Sequence, residues 1–231
     1  MAQKKSSRLD WLLALLMALC VARLWLMPLG SSFWIDEIGT RFLVHYGAQH
    51  PSLAVVPQVW KSIYYYLPRG AEVLLGFSEA AYRLPSILVM AAALFFVARL
   101  AVRLIHPDAA WLAAFACLGL RGINYHAADA RPYALGICLA AASLWFLVRW
   151  LDAADWADAL LFVAFAALVW RAHLLFWPFY VVAIVYTVAR FAQRDTQVTW
   201  MQAAGALGAL FVLLLPVLRD GLSLYSNASA H

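Results

Sequence analysis

Long stretches without charge divide this chain. Residues 84–98, 132–148, 174–189 and 201–218 contain no Asp, Glu, Lys or Arg. Each approaches the roughly 20 apolar residues a helix needs to cross a hydrocarbon core of about 30 Å. Across all 231 residues, 66% are hydrophobic and 13% are charged. A soluble domain carries about 25% charged residues. A water-soluble core cannot hide so much apolar surface, and neither a disordered tail nor a disulfide scaffold has this composition. The runs predict an all-α fold: a polytopic transmembrane helix bundle of about seven spans. These lie at residues 10–29, 84–105, 109–123, 132–151, 160–170, 174–191 and 201–218. A tight turn at His106-Pro107-Asp108 and a polar break over residues 124–131 separate the middle ones.

The net charge of +5 reads as topology, because Lys and Arg collect on the cytoplasmic side of a membrane. No basic run sits in a soluble segment, so nucleic acid is not an expected partner. With the N-terminus inside, the inner ends collect Lys4, Lys5, Arg8, Arg99, Arg103, Arg149, Arg190 and Arg194. The outer turns collect only Arg121, Arg131, Arg171 and Arg219. The expected placement is the inner (plasma) membrane, N-terminus cytoplasmic and active face outward. The run from Trp11 to Leu29 is too long for a signal peptide's apolar region and reads as an uncleaved first span. Cys20, Cys117 and Cys138 lie inside apolar stretches without metal-ligand spacing, as small core residues do.

Residues 31–82 form the expected outer loop. Ile38, Phe42, Leu43 and Tyr46 fall on one helical stripe, and Val56, Trp60, Ile63 and Tyr64 make a second. A third short helix is predicted over 71–82, with Leu74 and Phe77. Helices of this kind lie flat in the membrane interface, where Trp and Tyr collect.

Few residues are left to carry chemistry. Asp36 and Glu37, just past the first span, can supply a general base, bind a cation, or simply complement a helix N-terminus. Adjacent helical residues point about 100° apart, so the two are not expected to share one role. Asp129 and Arg131 stand before Pro132 on the same face. Arg131 can grip a phosphate with its planar fork, or only anchor at the interface. Asp129 can position a metal, a substrate hydroxyl or Arg131 itself, or act only as a capping charge. Arg83 and Lys61 are phosphate candidates, although Glu79/Arg83 and Arg69/Glu72 also have the spacing of ordinary helix-surface pairs. Tyr133 and His173 are candidate substrate contacts. Arg23, inside the first span, is expected to face the bundle interior and find a partner, or to snorkel.

Trp34-Ile35-Asp36-Glu37, then Gly76 to Ser86 entering the second span, then Ala128-Asp129-Ala130-Arg131-Pro132-Tyr133-Ala134-Leu135 entering the fourth, resemble the GT-C membrane glycosyltransferases. The branch resembled is the bacterial relatives of the dolichyl-phosphate-mannose protein mannosyltransferases and lipid A aminoarabinose transferases. The resemblance implies a sugar donor linked to a polyprenyl phosphate, a lipid, glycan or protein acceptor, and contact with membrane lipid. It makes Asp36 the base, with Glu37 beside it and Asp129 at the second acidic position, and it makes Arg131 the residue that meets the phosphate leaving group. Transfer opposite to that group inverts the anomeric centre. No motif names a cofactor, and a divalent cation is left open. Members of the family are usually longer, so residues 1–231 read as a single module truncated at its C-terminus. The rival readings are a non-catalytic relative that binds polyprenyl phosphate, and a lipid-linked-sugar transporter. An enzyme needs Asp36 beside the outer ends of spans three and four, facing a groove. A transporter needs charges deep along one path.

Overall fold

The computed structural model describes residues 8–50 and 62–228, with side chains through Arg219. Ten α-helices run along the described residues. Helix α1 (Arg8–Val21) continues through one π turn (Ala22–Leu26) and a 3-10 turn (Met27–Gly30) that Pro28 helps to tighten. The outer segment supplies α2 (Ile35–Tyr46) and α3 (Tyr66–Leu75). Then come α4 (Glu79–Leu104), α5 (Ala109–Gly119), α6 (Arg121–Ala127), α7 (Tyr133–Ala153), α8 (Trp156–Ala172), α9 (Pro178–Ala192) and α10 (Trp200–Ala228).

Among the described residues, five segments are long and apolar enough to cross a membrane: Arg8–Gly30, Glu79–Leu104, Tyr133–Ala153, Leu174–Ala192 and Trp200–Arg219. Large apolar side chains face outward along them, among them Trp11, Leu88, Phe95 and Phe211. So much exposed hydrocarbon is stable only in lipid, and the chain is a multi-pass membrane protein. Helix α8 has 17 residues and α5 has 11.

Three boundaries differ from the sequence reading, each for a local reason. The predicted helix over 71–82 is broken, because Gly76 takes φ +78°, a left-handed conformation that glycine adopts without strain. Ser78 then restarts the chain as the N-cap of α4, accepting a hydrogen bond from the Ala81 amide at 3.1 Å. The third run stops at Gly119, and the first half of the expected polar break, residues 124–127, lies in helix α6. There the Asn124 side chain donates to the Leu118 carbonyl at 2.6 Å and accepts from Trp25 Nε1 at 3.0 Å. A polar residue satisfied in this way can stay helical against an apolar neighbour. Arg23 does not face the interior. Trp25 takes that side at 1% exposure, and Arg23, two residues away on the helix, is exposed, with no ion-pair partner among the described residues.

Helix α7 is the central element, packed against α4 on one side and α8 on the other. Ala134, Gly136, Ala141 and Ala142 let neighbouring backbones approach it closely. Leu147, Trp150, Phe162 and Val169 fill the α7–α8 seam, while Trp25, Met90, Ala127 and Ala134 fill a second core under α1, α4 and α6. The two ends of the bundle differ in chemistry. At one, Asp152 pairs with Arg103 at 2.7 Å and with Arg190 at 2.8 Å, tying the ends of α4, α7 and α9 together. At the other gather the end of α1, the start of α2, Arg83, the 129–133 turn and His173.

Candidate active site

This second end is organised around a buried ion pair. Glu37 is wholly buried and Arg83 is 3% exposed. Arg83 Nε donates to Glu37 Oε1 at 2.7 Å and Nη2 donates to Oε2, a two-pronged contact between fork and carboxylate. The remaining N–H groups of Arg83 reach the carbonyls of Pro28, Ser31 and Ser32 at 3.1, 2.7 and 3.1 Å, so the guanidinium clasps the 3-10 turn after α1 and the residues that follow it. All five of its donors have protein acceptors. Glu37 also accepts the Ala130 amide at 3.0 Å and, reaching back within α2, the Trp34 amide at 3.3 Å. One carboxylate thereby joins α2, α4 and the 129–131 turn.

Asp36, one residue earlier and about 100° around the helix, turns outward. Its side chain is 42% exposed, and Oδ2 accepts from Arg131 Nη1 at 2.6 Å. Among the described residues Oδ1 has no partner. Arg131 is 27% exposed and uses one N–H group in that bond. Its guanidinium carbon lies 5.8 Å from the centre of the Trp34 indole and 5.0 Å from that of the Tyr133 ring. The cation is held by two aromatic faces while its other N–H groups stay available. A three-residue turn sets its position, with the Arg131 amide donating to the Asp129 carbonyl at 2.8 Å.

Asp129 is 2% exposed. Its Oδ1 accepts from Trp34 Nε1 at 3.2 Å. Its Oδ2 is buried with no hydrogen-bond partner among the described residues, as is His126 Nδ1, 3.9 Å away. The His126 ring rests on Tyr133 at 4.4 Å between centres, and His173 lies against Tyr133 at 5.4 Å. His173 Nδ1 accepts from the Leu175 amide at 3.1 Å, which leaves the neutral ring its proton on Nε2. Burial, reinforced by the nearby Arg131 charge, holds its pKa below the ordinary histidine value. Burial pushes the Tyr65 hydroxyl above the usual tyrosine range, and Arg131 draws it part of the way back. A cavity of about 320 Å³ opens beside these groups, lined by Ser31, Trp34, Asn124, Tyr125 and Asp129 among others.

The structure therefore brings Asp36, Glu37, Arg83, Asp129, Arg131, Tyr133 and His173 to one end of the bundle. Lys61 lies outside the described residues. Arg83 does not pair with Glu79, nor Arg69 with Glu72; Glu72 instead accepts from the Tyr82 hydroxyl and meets His45 at 3.0 Å. Sequence reasoning gave no role in the site to Trp34 or His126, and read Tyr65 only as an interfacial aromatic. Trp34 sits within the motif that carries Asp36 and Glu37, and His126 stands two residues before the one that carries Asp129, in the polar break, which was the available signal. Among the described residues no three His, Cys, Asp or Glu side chains are gathered to hold a metal ion.

A family model described as dolichyl-phosphate-mannose-protein mannosyltransferase matches residues 62–218 of the chain. No curated protein and no solved structure matches it.

Proposed function

Because the chain belongs to the dolichyl-phosphate-mannose-protein mannosyltransferase family, we propose that it moves a sugar from a polyprenyl phosphate to a hydroxyl acceptor at the membrane surface. The observation that carries this reading is the Asp36–Arg131 pair: an open carboxylate and an open cation 2.6 Å apart at one end of an apolar bundle.

A hydroxyl is a weak nucleophile until a base takes its proton. Asp36 Oδ1 accepts that proton as the acceptor oxygen bonds to the anomeric carbon. The bond from that carbon to the phosphate oxygen breaks, and its electron pair stays on the phosphate. Arg131, with N–H groups still free and little reorganisation needed, meets the growing charge. The products are an inverted glycoside, a polyprenyl monophosphate and a protonated Asp36 that loses its proton to water. Glu37 and Arg83 are too fully bonded to take part directly and are assigned the positioning of α2. Asp129 supports Trp34 and so one face of the Arg131 clamp. Tyr133 supplies the other face, and His173 backs it.

The reading includes topology. Helix α8, and α5 with α6 in series, each link the two ends of the bundle, so both are assigned as crossings beside the five longer spans. At 1.5 Å per residue α8 covers about 25 Å. Arg99, Arg103, Arg149, Arg190 and Arg194 sit at the end remote from Asp36, which assigns that end to the cytoplasm and the site to the outer face.

The test is a mass-spectrometric comparison of envelope lipids and glycans from cells with the gene, without it, and with Asp36→Asn. A glycan lost on deletion and restored by wild type alone is expected. Restoration by Asp36→Asn sinks the assignment of the base.

A further inference from the structure

Two buried polar atoms lack hydrogen-bond partners among the described residues, and they face each other: His126 Nδ1 and Asp129 Oδ2. Native proteins seldom leave such atoms unpaired, and each instance needs a physical reason. Their 3.9 Å separation is about 1 Å beyond a hydrogen bond. An ionised carboxylate only accepts, so a bond between them needs the proton on Nδ1 of His126. Active-site hydrogen bonds are often long without substrate and tighten when it binds.

The two residues lead to one place by separate routes. Asp129 Oδ1 holds the Trp34 indole N–H at 3.2 Å. His126 lies against Tyr133, ring centres 4.4 Å apart. Trp34 and Tyr133 are the two faces that clamp the Arg131 guanidinium. A contraction of the His126–Asp129 contact therefore moves both walls of the clamp together. His126 touches neither Asp36 nor Arg131 in any hydrogen bond or ion pair, so any influence on the phosphate passes through these walls.

We infer that His126 is a positioning residue, which closes a hydrogen bond to Asp129 when a lipid phosphate binds and thereby sets the Trp34–Tyr133 clamp around Arg131. This rests on the assignment of Arg131 to the phosphate. His126→Phe keeps an aromatic ring on Tyr133 and removes the donor. His126→Asn restores a donor near the Nδ1 position.

The probe is undecaprenyl monophosphate, titrated against the purified full chain in nanodiscs. Four proteins are compared with wild type: His126→Phe, His126→Asn, Arg131→Ala, and the double variant His126→Phe/Arg131→Ala. His126→Phe is expected to weaken binding about tenfold, the scale of a charge-assisted hydrogen bond. His126→Asn should bind within roughly threefold of wild type, with its donor restored. In the Arg131→Ala background, His126→Phe should add almost nothing, because a residue that acts only through Arg131 has no effect once Arg131 is gone. A residue that merely supports the fold gives its full loss in both backgrounds. Equal losses in the two backgrounds, wild-type binding by His126→Phe, or an Asn variant as weak as the Phe variant each overturn the inference. Wild-type binding by Arg131→Ala overturns instead the assignment of Arg131 on which it rests.

Discussion

Asp36 and Glu37 are neighbours in sequence, and the same chemical change at each should affect stability very differently. Glu37→Gln preserves shape and removes the negative charge from a site with no exposure. Arg83, at 3% exposure, is then left with its charge buried and uncompensated, while the Ala130 amide meets a weaker acceptor or an N–H group. Breaking one side of a buried pair costs about 3–5 kcal/mol. For a chain of this length each kcal/mol moves the thermal midpoint by about 2–4 °C, which gives a fall of roughly 6–20 °C. Asp36→Asn removes one bond from a carboxylate that is 42% exposed. Solvent-screened pairs contribute about 1 kcal/mol or less, so its midpoint should drop by no more than about 4 °C. The assay is thermal unfolding of the purified protein in detergent, followed through its 11 tryptophans, with sugar transfer measured on the folded fraction. Asp36→Asn should lose transfer and keep stability. Glu37→Gln should lose stability first, and adding Arg83→Met should recover part of it, since no buried charge is then left unpaired. If the two amides destabilise equally, or if Glu37→Gln unfolds at the wild-type midpoint, the division of roles argued from burial is wrong.

Two further outcomes follow from the packing around the clamp. A methyl group on Gly136 would stand 2.1 Å from the Phe176 ring, so Gly136→Ala should cost about 1–3 kcal/mol through displacement of that ring, and Phe176→Ala in the same chain should relieve it. His173 is held below its ordinary pKa of 6.5 in the folded protein. The unfolded chain takes up a proton there that the folded chain refuses, so this contribution to stability is complete above about pH 7 and is lost as pH falls below about 6.5. His173→Gln should therefore flatten the fall in thermal midpoint between about pH 7 and pH 5, and an unchanged slope would show that His173 titrates freely.

What the sequence made legible was whatever obeys a local period. The stripe Ile38, Phe42, Leu43, Tyr46 became α2, and the uncharged runs became α4, α7, α9 and α10. What it hid depends on distant partners. Arg83 has Glu79 four residues away, the spacing of a helix-surface pair, yet it turns instead to Glu37, 46 residues distant. The spacing rule describes one helix in solvent. Here the start of α4 is packed against the 3-10 turn after α1, and the carbonyls of Pro28, Ser31 and Ser32, with Glu37, satisfy every donor of the guanidinium. The polarity of Asn124 and His126 likewise suggested a loop, although Asn124 is satisfied inside a helix by Leu118 and Trp25. The residues that gather at one end of the bundle were conspicuous in the sequence, because charges are scarce in this chain and several stand together between apolar runs.

That scarcity also bears on how a single exposed carboxylate can be held in place without a rigid loop. A base must reach its substrate, which argues for exposure, and it must not wander, which argues for burial. The helical angle between adjacent residues separates the two demands. Glu37, with four accepted hydrogen bonds from Trp34, Arg83 and Ala130, fixes the first turn of α2 against α4 and the 129–131 turn. Asp36 shares that turn, so its backbone is immobilised by its neighbour while its side chain stays open. Arg131 is held the same way from the other side, because the Ala130 amide that precedes it is bound by the same Glu37 carboxylate. One buried residue thus sets the relative position of the proposed base and the proposed phosphate ligand. For this reason Glu37→Gln should lower transfer even in the molecules that remain folded, although Glu37 has no free lone pair with which to do the chemistry itself.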